Sequence, residues 1–266
     1  FTGVLVAPGE VHFLHAIFYL LSISLLVVGA TTLNCYMEKD VDALMERTKD
    51  RPLPSGRMKP RFVFYYGIIL TFMALGLIYY LSNPLTTILG AIASASYLFA
   101  YTPLKKHSDI ALYIGAIPGA LPPLMGWTYV TGEMSGIGFM LFCLLFIWQL
   151  PHFMAIAIYH ARDYSSAKIK VVPNLRGQKM TVSLIILLSF LMIFVSGAPS
   201  YFNHAPASYG YAAVVLSALL FLYSLKGLSA LKDGSSMQMT VWAKHYFWGT
   251  IIYLPLVLGA MLILIR

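Results

Sequence analysis

Eight long stretches of the chain carry almost only apolar and small residues, at about 12–35, 62–81, 84–101, 110–130, 136–159, 180–198, 208–229 and 240–265. A helix needs roughly 20 such residues to cross a bilayer core. The opening FTGVLVAPG reads as the tail of a further span, truncated at its start. Period-two alternation is missing, and the runs are too long for barrel strands. The pattern predicts an all-α polytopic membrane protein of about nine transmembrane helices, forming a single domain over residues 1–266. Apolar helix, inner acid and turn recur in both halves, with RPLPSG at 51–56 and VPNLRG at 172–177. That loose likeness suggests a pseudo-repeat of two four-helix halves.

Composition narrows the class. Charged residues make up 11% of the chain, hydrophobic residues 59%, and mean hydropathy is +0.76. An ordinary soluble domain is roughly 25% charged, so a water-soluble fold lacks the polar surface it needs. Disorder, a coiled coil and a disulfide-stapled module are excluded by the same figures. Cys35 and Cys143 lie in apolar segments without metal-ligand spacing and read as small buried hydrophobes.

The loops orient the spans. Counted by alternate connections, 17 of the 18 Lys and Arg residues fall on one side, and only Arg266 breaks the alternation. The positive-inside rule assigns that side to the cytoplasm, which accounts for the net charge of +8 without a nucleic-acid partner. Topology does not require acids there. Yet all but Glu10 and Glu133 lie on the same side, and Glu38, Asp40, Asp42, Glu46 and Asp50 crowd into one segment. Carboxylates mixed with Arg and Lys at a membrane helix end point to a site for a metal and an anion together.

That segment is NCYMEKDVDALMERTKDRPLPSGRM, residues 34–58. If the helix continues through it, Asn34, Glu38 and Asp42 recur at i, i+4 and i+8, within roughly 80° of one face. An amide oxygen and two carboxylates suit a hard divalent cation such as Mg²⁺, with phosphate oxygens completing its shell. Spacing alone fits an ordinary solvated helix end equally well. Asp40 points about 200° away from Glu38. Arg47 and Arg51 follow, with guanidinium forks suited to phosphate. Lys59 and Arg61 read as topology anchors. Two further constellations share this side. AYTPLKKHSD (100–109) contributes Tyr101, Lys105 and Lys106, and WQLPHFMAIAIYHARDYSSA (148–167) contributes Trp148, Gln149, His152 and Asp163. Gly115 and Gly119 have the spacing of close helix packing.

These motifs, in this order and over essentially the whole chain, resemble the UbiA-type intramembrane prenyltransferases. The run N-x-x-x-(D/E)-x-D-x-D, ERTKDRPLPSG, YTPLKK, GAIPGALPPLMGW, WQLPHF and DYSSA resemble the haem-farnesylating branch most. The resemblance implies Mg²⁺-dependent transfer of a farnesyl group from farnesyl diphosphate to a vinyl group of haem B, with addition of water. It implies that Asn34, Glu38, Asp42 and Asp163 hold the metal and serve catalysis. Arg47, Arg51, Lys105 and Lys106 would bind the diphosphate, and His152, Trp148, Gln149 and Tyr101 would face haem. It also implies contact with membrane lipid and, as partners, the next enzyme of haem A synthesis or a terminal oxidase. Two departures from the family pattern stand out: Glu38 replaces the more common Asp, and the second motif, which elsewhere pairs acids, here has His160 three residues before Asp163 and Ala167 four after. A bacterial plasma membrane is expected rather than a mitochondrial inner membrane. Other readings are a prenyltransferase for an aromatic quinone precursor, a secondary transporter, or an oxidase assembly factor without catalysis. A transporter would be expected to carry acids near mid-span, and the centres of these spans have none.

Overall fold

A computed structural model describes residues 1–265, so Arg266, the one cation off the common side, lies outside the described residues. Those residues are helical, with no strand among them. The short α1 (Thr2–Val6) precedes α2 (Phe13–Asp42), α3 (Pro60–Leu81) and α4 (Pro84–Ala95). A π-helical turn, Ser96–Tyr101, and a last turn, Thr102–Leu104, extend α4. Next come α5 (Ala111–Thr131), α6 (Gly136–Tyr159) and the small α7 (Ala161–Ser166). The chain ends with α8 (Val172–Tyr201), α9 (Ala207–Ser224), α10 (Lys226–Lys232) and α11 (Ser236–Leu264).

Seven of these segments are long and apolar enough to cross a membrane. The other two of the nine expected spans are α1, of five residues, and α5, of 21. Glycine and three internal prolines dilute the hydropathy of α5, and its neighbours enclose it: Ala116, Ala120, Leu124 and Met125 are buried. On the spanning helices both faces are apolar, as a lipid surround requires. In α3, for example, Leu70, Ala74 and Ile78 are buried while Phe62, Ile69 and Phe72 are exposed. The chain is an integral membrane protein.

The core has two parts that meet along α5. Tyr19, Leu26, Ala74, Ile78 and Leu89 pack with Leu121, Leu124 and Met125 of α5. On its other side, Ala116 and Trp127 join the buried residues of α6, α8, α9 and α11. Small residues let backbones approach. A Cβ on Gly29 of α2 would lie 2.8 Å from the Thr71 backbone nitrogen of α3. Gly115 and Gly119 behave as their spacing predicts, one beneath the Tyr101 ring and the other against Gln149.

Two boundaries differ from the sequence reading. The helix expected to begin near 180 starts at Val172, but Gly177 (φ 79°, ψ 166°) breaks it into a short inner turn and a long span. The span expected over 208–229 ends at Ser224 and resumes after Leu225 as α10. Neither feature alters the apolar pattern, so hydropathy alone does not register them.

Candidate active site

At about 1.5 Å per residue, the 30 residues of α2 extend about 45 Å. That exceeds a hydrocarbon core of about 30 Å, so the last turns stand at the membrane edge. Asn34, Glu38 and Asp42 occupy one face there and are 7%, 3% and 3% exposed. The helical continuation through the acidic segment is therefore real, and the three oxygen-bearing side chains share a cavity wall. Asp40 projects away, with its side chain 85% exposed beside Lys39.

Each of the three has a defined partner. The Asn34 amide nitrogen donates to Thr102 Oγ1 at 2.9 Å, and that hydroxyl donates to the Tyr97 carbonyl at 2.7 Å. The amide oxygen is thereby the end left for a ligand. Glu38 Oε2 accepts from the Lys105 ammonium, while Glu38 Oε1 is buried with no hydrogen-bond partner. Asp42 Oδ2 accepts from Arg51 Nη1 at 2.8 Å.

Three inner segments close around this face. Thr48 Oγ1 donates to the Asp42 carbonyl at 2.8 Å, folding the chain back over the helix end. Met45 packs against Ala167 and Ile169, and Ser166 Oγ donates to the Leu44 carbonyl at 3.2 Å. The Lys170 amide donates to the Lys105 carbonyl at 3.0 Å, binding the third segment to the second. Between them lies a cavity of about 370 Å³, the size of a small-ligand site. Arg47, Arg51 and Lys105 line it with the α2 oxygens, whereas Leu112, Phe153, Met154 and Ala157 form an apolar wall.

Tyrosines bridge the two kinds of wall. Tyr97 and Tyr101, on the π-helical turn, stack with ring centroids 5.6 Å apart. The wider turn keeps the backbone of Thr102 bonded to Tyr97, five residues back. Lys105 Nζ lies 5.4 Å from the Tyr101 ring centroid, within cation–π range. Tyr164 of α7 also lines the cavity. Burial raises its pKa, and the positive charge of Arg47 opposes that rise. Burial, then the charge of Arg47, lowers the pKa of His160, with Asp163 acting in the other direction.

Other residues singled out from sequence lie elsewhere. Asp163 sits 3.6 Å from His160 Nδ1 with its side chain 22% exposed, outside the cavity lining, as is Lys106. His152 is buried, bonded through Nδ1 to Thr250 Oγ1 at 2.7 Å and stacked on Trp148 at 4.7 Å. Trp148 Nε1 donates to the Thr250 carbonyl at 2.9 Å. Gln149 Nε2 donates to the Leu145 carbonyl of its own helix at 3.0 Å and to the Ala116 carbonyl of α5 at 3.3 Å. These three knit α6 to α5 and α11, and none lines the cavity. Cys35 and Cys143 are free thiols, half-buried. Conversely, the cavity wall includes Asp109, buried and paired with Arg176, together with Tyr97, Tyr164 and Lys170. Apart from Tyr97, which stacks on Tyr101 four residues on, no local spacing marks them, because their partners lie on other segments. Among the described residues no group of three or more His, Cys, Asp or Glu side chains could hold a metal by itself.

The family model for "UbiA prenyltransferase family" matches residues 1–251. A protoheme IX farnesyltransferase from Anaeromyxobacter dehalogenans (strain 2CP-C) is 38% identical over 97% of this chain and 85% of its own length. That from Myxococcus xanthus (strain DK1622) is 40% identical over 97% and 86%. Among solved structures, a digeranylgeranylglyceryl phosphate synthase superposes with TM-score 0.79 at 17% identity, covering 99% of this chain and 90% of that one. A UbiA homologue from Archaeoglobus fulgidus, bound to GPP and Mg²⁺, gives TM-score 0.70 at 16% identity, covering 98% and 93%. The structural likeness establishes the fold, and the sequence matches establish descent: the chain belongs to the UbiA prenyltransferase family.

Proposed function

We propose that the chain transfers a farnesyl group from farnesyl diphosphate to a vinyl side chain of haem B, adding water and giving haem O and diphosphate. The carrying observation is the convergence of Asn34, Glu38 and Asp42 with Arg47, Arg51 and Lys105 on one wall of a cavity whose other wall is apolar. The names of the relatives support the acceptor and the prenyl length.

The donor set fits Mg²⁺. Glu38 Oε1 is a buried oxygen without a partner, the Asn34 oxygen is free by virtue of Thr102, and Asp42 supplies a second carboxylate. Mg²⁺ held by these oxygens would neutralise the leaving diphosphate. We assign Asp163, beside the cavity-lining Tyr164, and Lys106 to the rim. Arg47, Arg51 and Lys105 bind the diphosphate oxygens and favour charge developing as the farnesyl C1–O bond breaks. The apolar wall and the three tyrosine rings keep bulk water from the allylic cation, and the ring faces of Tyr97 and Tyr101 favour positive charge near them. The vinyl group then forms the new bond to C1. A water oxygen adds to the other vinyl carbon, with loss of a proton. Tyr101 is the cavity-lining member of the haem-side set, and Trp148, Gln149 and His152 tie α6 to α5 and α11. The positive-inside rule supports a cytoplasmic face for the site, and the bacterial sources of the relatives support a bacterial inner membrane.

The acceptor is tested by competition. Purified protein in lipid, supplied with farnesyl diphosphate and Mg²⁺, is offered haem B and 4-hydroxybenzoate together, and products are separated by mass. Farnesylated haem alone is expected. Farnesylated hydroxybenzoate instead would move the chain to the quinone-precursor branch.

A further inference from the structure

Two of the three ligand-bearing side chains on α2 are already engaged. Glu38 holds Lys105, and Asp42 holds Arg51 at 2.8 Å. Both carboxylates are nearly inaccessible, and the Lys105 side chain is only 16% exposed. A divalent cation arriving alone must share each carboxylate with a cation already in place, in a setting where water screens weakly. An anion arriving alone draws Lys105 and Arg51 away and leaves two buried carboxylates without counter-charge, which is strongly unfavourable. When both arrive, every charge keeps an opposite neighbour. The carboxylates pass to the metal, and the ammonium and guanidinium pass to the two phosphates.

We infer that Lys105 and Arg51, besides binding the diphosphate, make metal occupancy of Glu38 and Asp42 conditional on it, closing the site to free metal and to free anion. This rests on the reading of the cavity as a metal–diphosphate site. Lys105 and Arg51 come from separate segments, and an anion with one charged group serves only one of them well. The exchange therefore also favours a diphosphate over a monophosphate.

The test is direct Mn²⁺ binding, followed by the electron paramagnetic resonance of free Mn²⁺, on the purified protein in lipid with and without inorganic diphosphate. Mn²⁺ and diphosphate associate in solution, so the decisive comparison uses the metal alone. Arg51→Met and Lys105→Met are each expected to bind Mn²⁺ alone roughly tenfold tighter than the unaltered chain, with the gain from diphosphate reduced by a similar factor. Arg51 lies in a loop with its side chain 44% exposed, so its variant retains the fold even if the change at the half-buried Lys105 perturbs it. Equal metal-only affinity in the unaltered chain and the Arg51 variant overturns the inference. If that result accompanies haem O formation, the proposed function stands without the exchange. If no protein binds Mn²⁺ under either condition, both fall.

Discussion

Arg47 biases two groups toward their deprotonated forms, opposing burial in one and adding to it in the other. It favours the ionised form of Tyr164, against burial, and disfavours the protonated form of His160, in concert with burial. His160 therefore titrates below its ordinary value of about 6.5, and at neutral pH it meets Asp163 as a neutral ring. Because the unfolded chain takes up the proton first, this group's linkage lowers stability as pH falls from about 6.5 toward the depressed folded value. Arg47→Gln removes one of the two depressing causes and leaves burial. The His160 pKa, read by NMR titration of the labelled ring, is expected to rise in that variant while remaining below 6.5. An unchanged value would separate Arg47 from this loop. The same residue shows what sequence discloses. Arg47 stands beside acids in a recognisable run, but its partners Tyr164 and His160 are more than 100 positions away, and no spacing rule reaches them.

Among the elements, α2 was the most legible. Its i, i+4, i+8 oxygens require only that the helix continue past the apolar run, and it continues to Asp42. The extension of α4 was not legible, because a π-helical turn has no hydropathy signature. It places Thr102 where its hydroxyl fixes the Asn34 amide, a role invisible in YTPLKK. Thr102→Val retains shape and removes that hydroxyl. Its expected effect is a loss of roughly 10–100-fold in metal affinity in the presence of diphosphate, the usual scale for a group that orients a ligand. Thermal stability should fall by less than the loss of a carboxylate would cause. Calorimetry of Mg²⁺ binding with inorganic diphosphate checks it, and unchanged affinity would show that Asn34 needs no such support. His152 illustrates the opposite difficulty. Beside Trp148, Gln149 and Pro151 it reads as a haem-facing ligand, yet its ring nitrogen meets Thr250 on the last helix. A buried polar side chain looks the same in sequence whether its partner is a ligand or another helix.

At the scale of the whole molecule, two packed halves share α5, and three inner segments are tied together over the cavity between them. Composition and charge distribution foretold the membrane class and the common side of the site. They could not foretell that Lys105 and Arg51 would already hold Glu38 and Asp42, because that depends on how separate segments meet. The proposed role of these paired charges is farnesyl transfer to haem. It is tested most directly by incubating the lipid-embedded protein with haem B and farnesyl diphosphate and weighing the haem product, with and without Mg²⁺ and beside Asp42→Ala. Haem O that requires Mg²⁺ and falls by about 100-fold or more in the variant is the predicted result. Haem O formed equally well without Mg²⁺, or by Asp42→Ala at the full rate, would contradict the account.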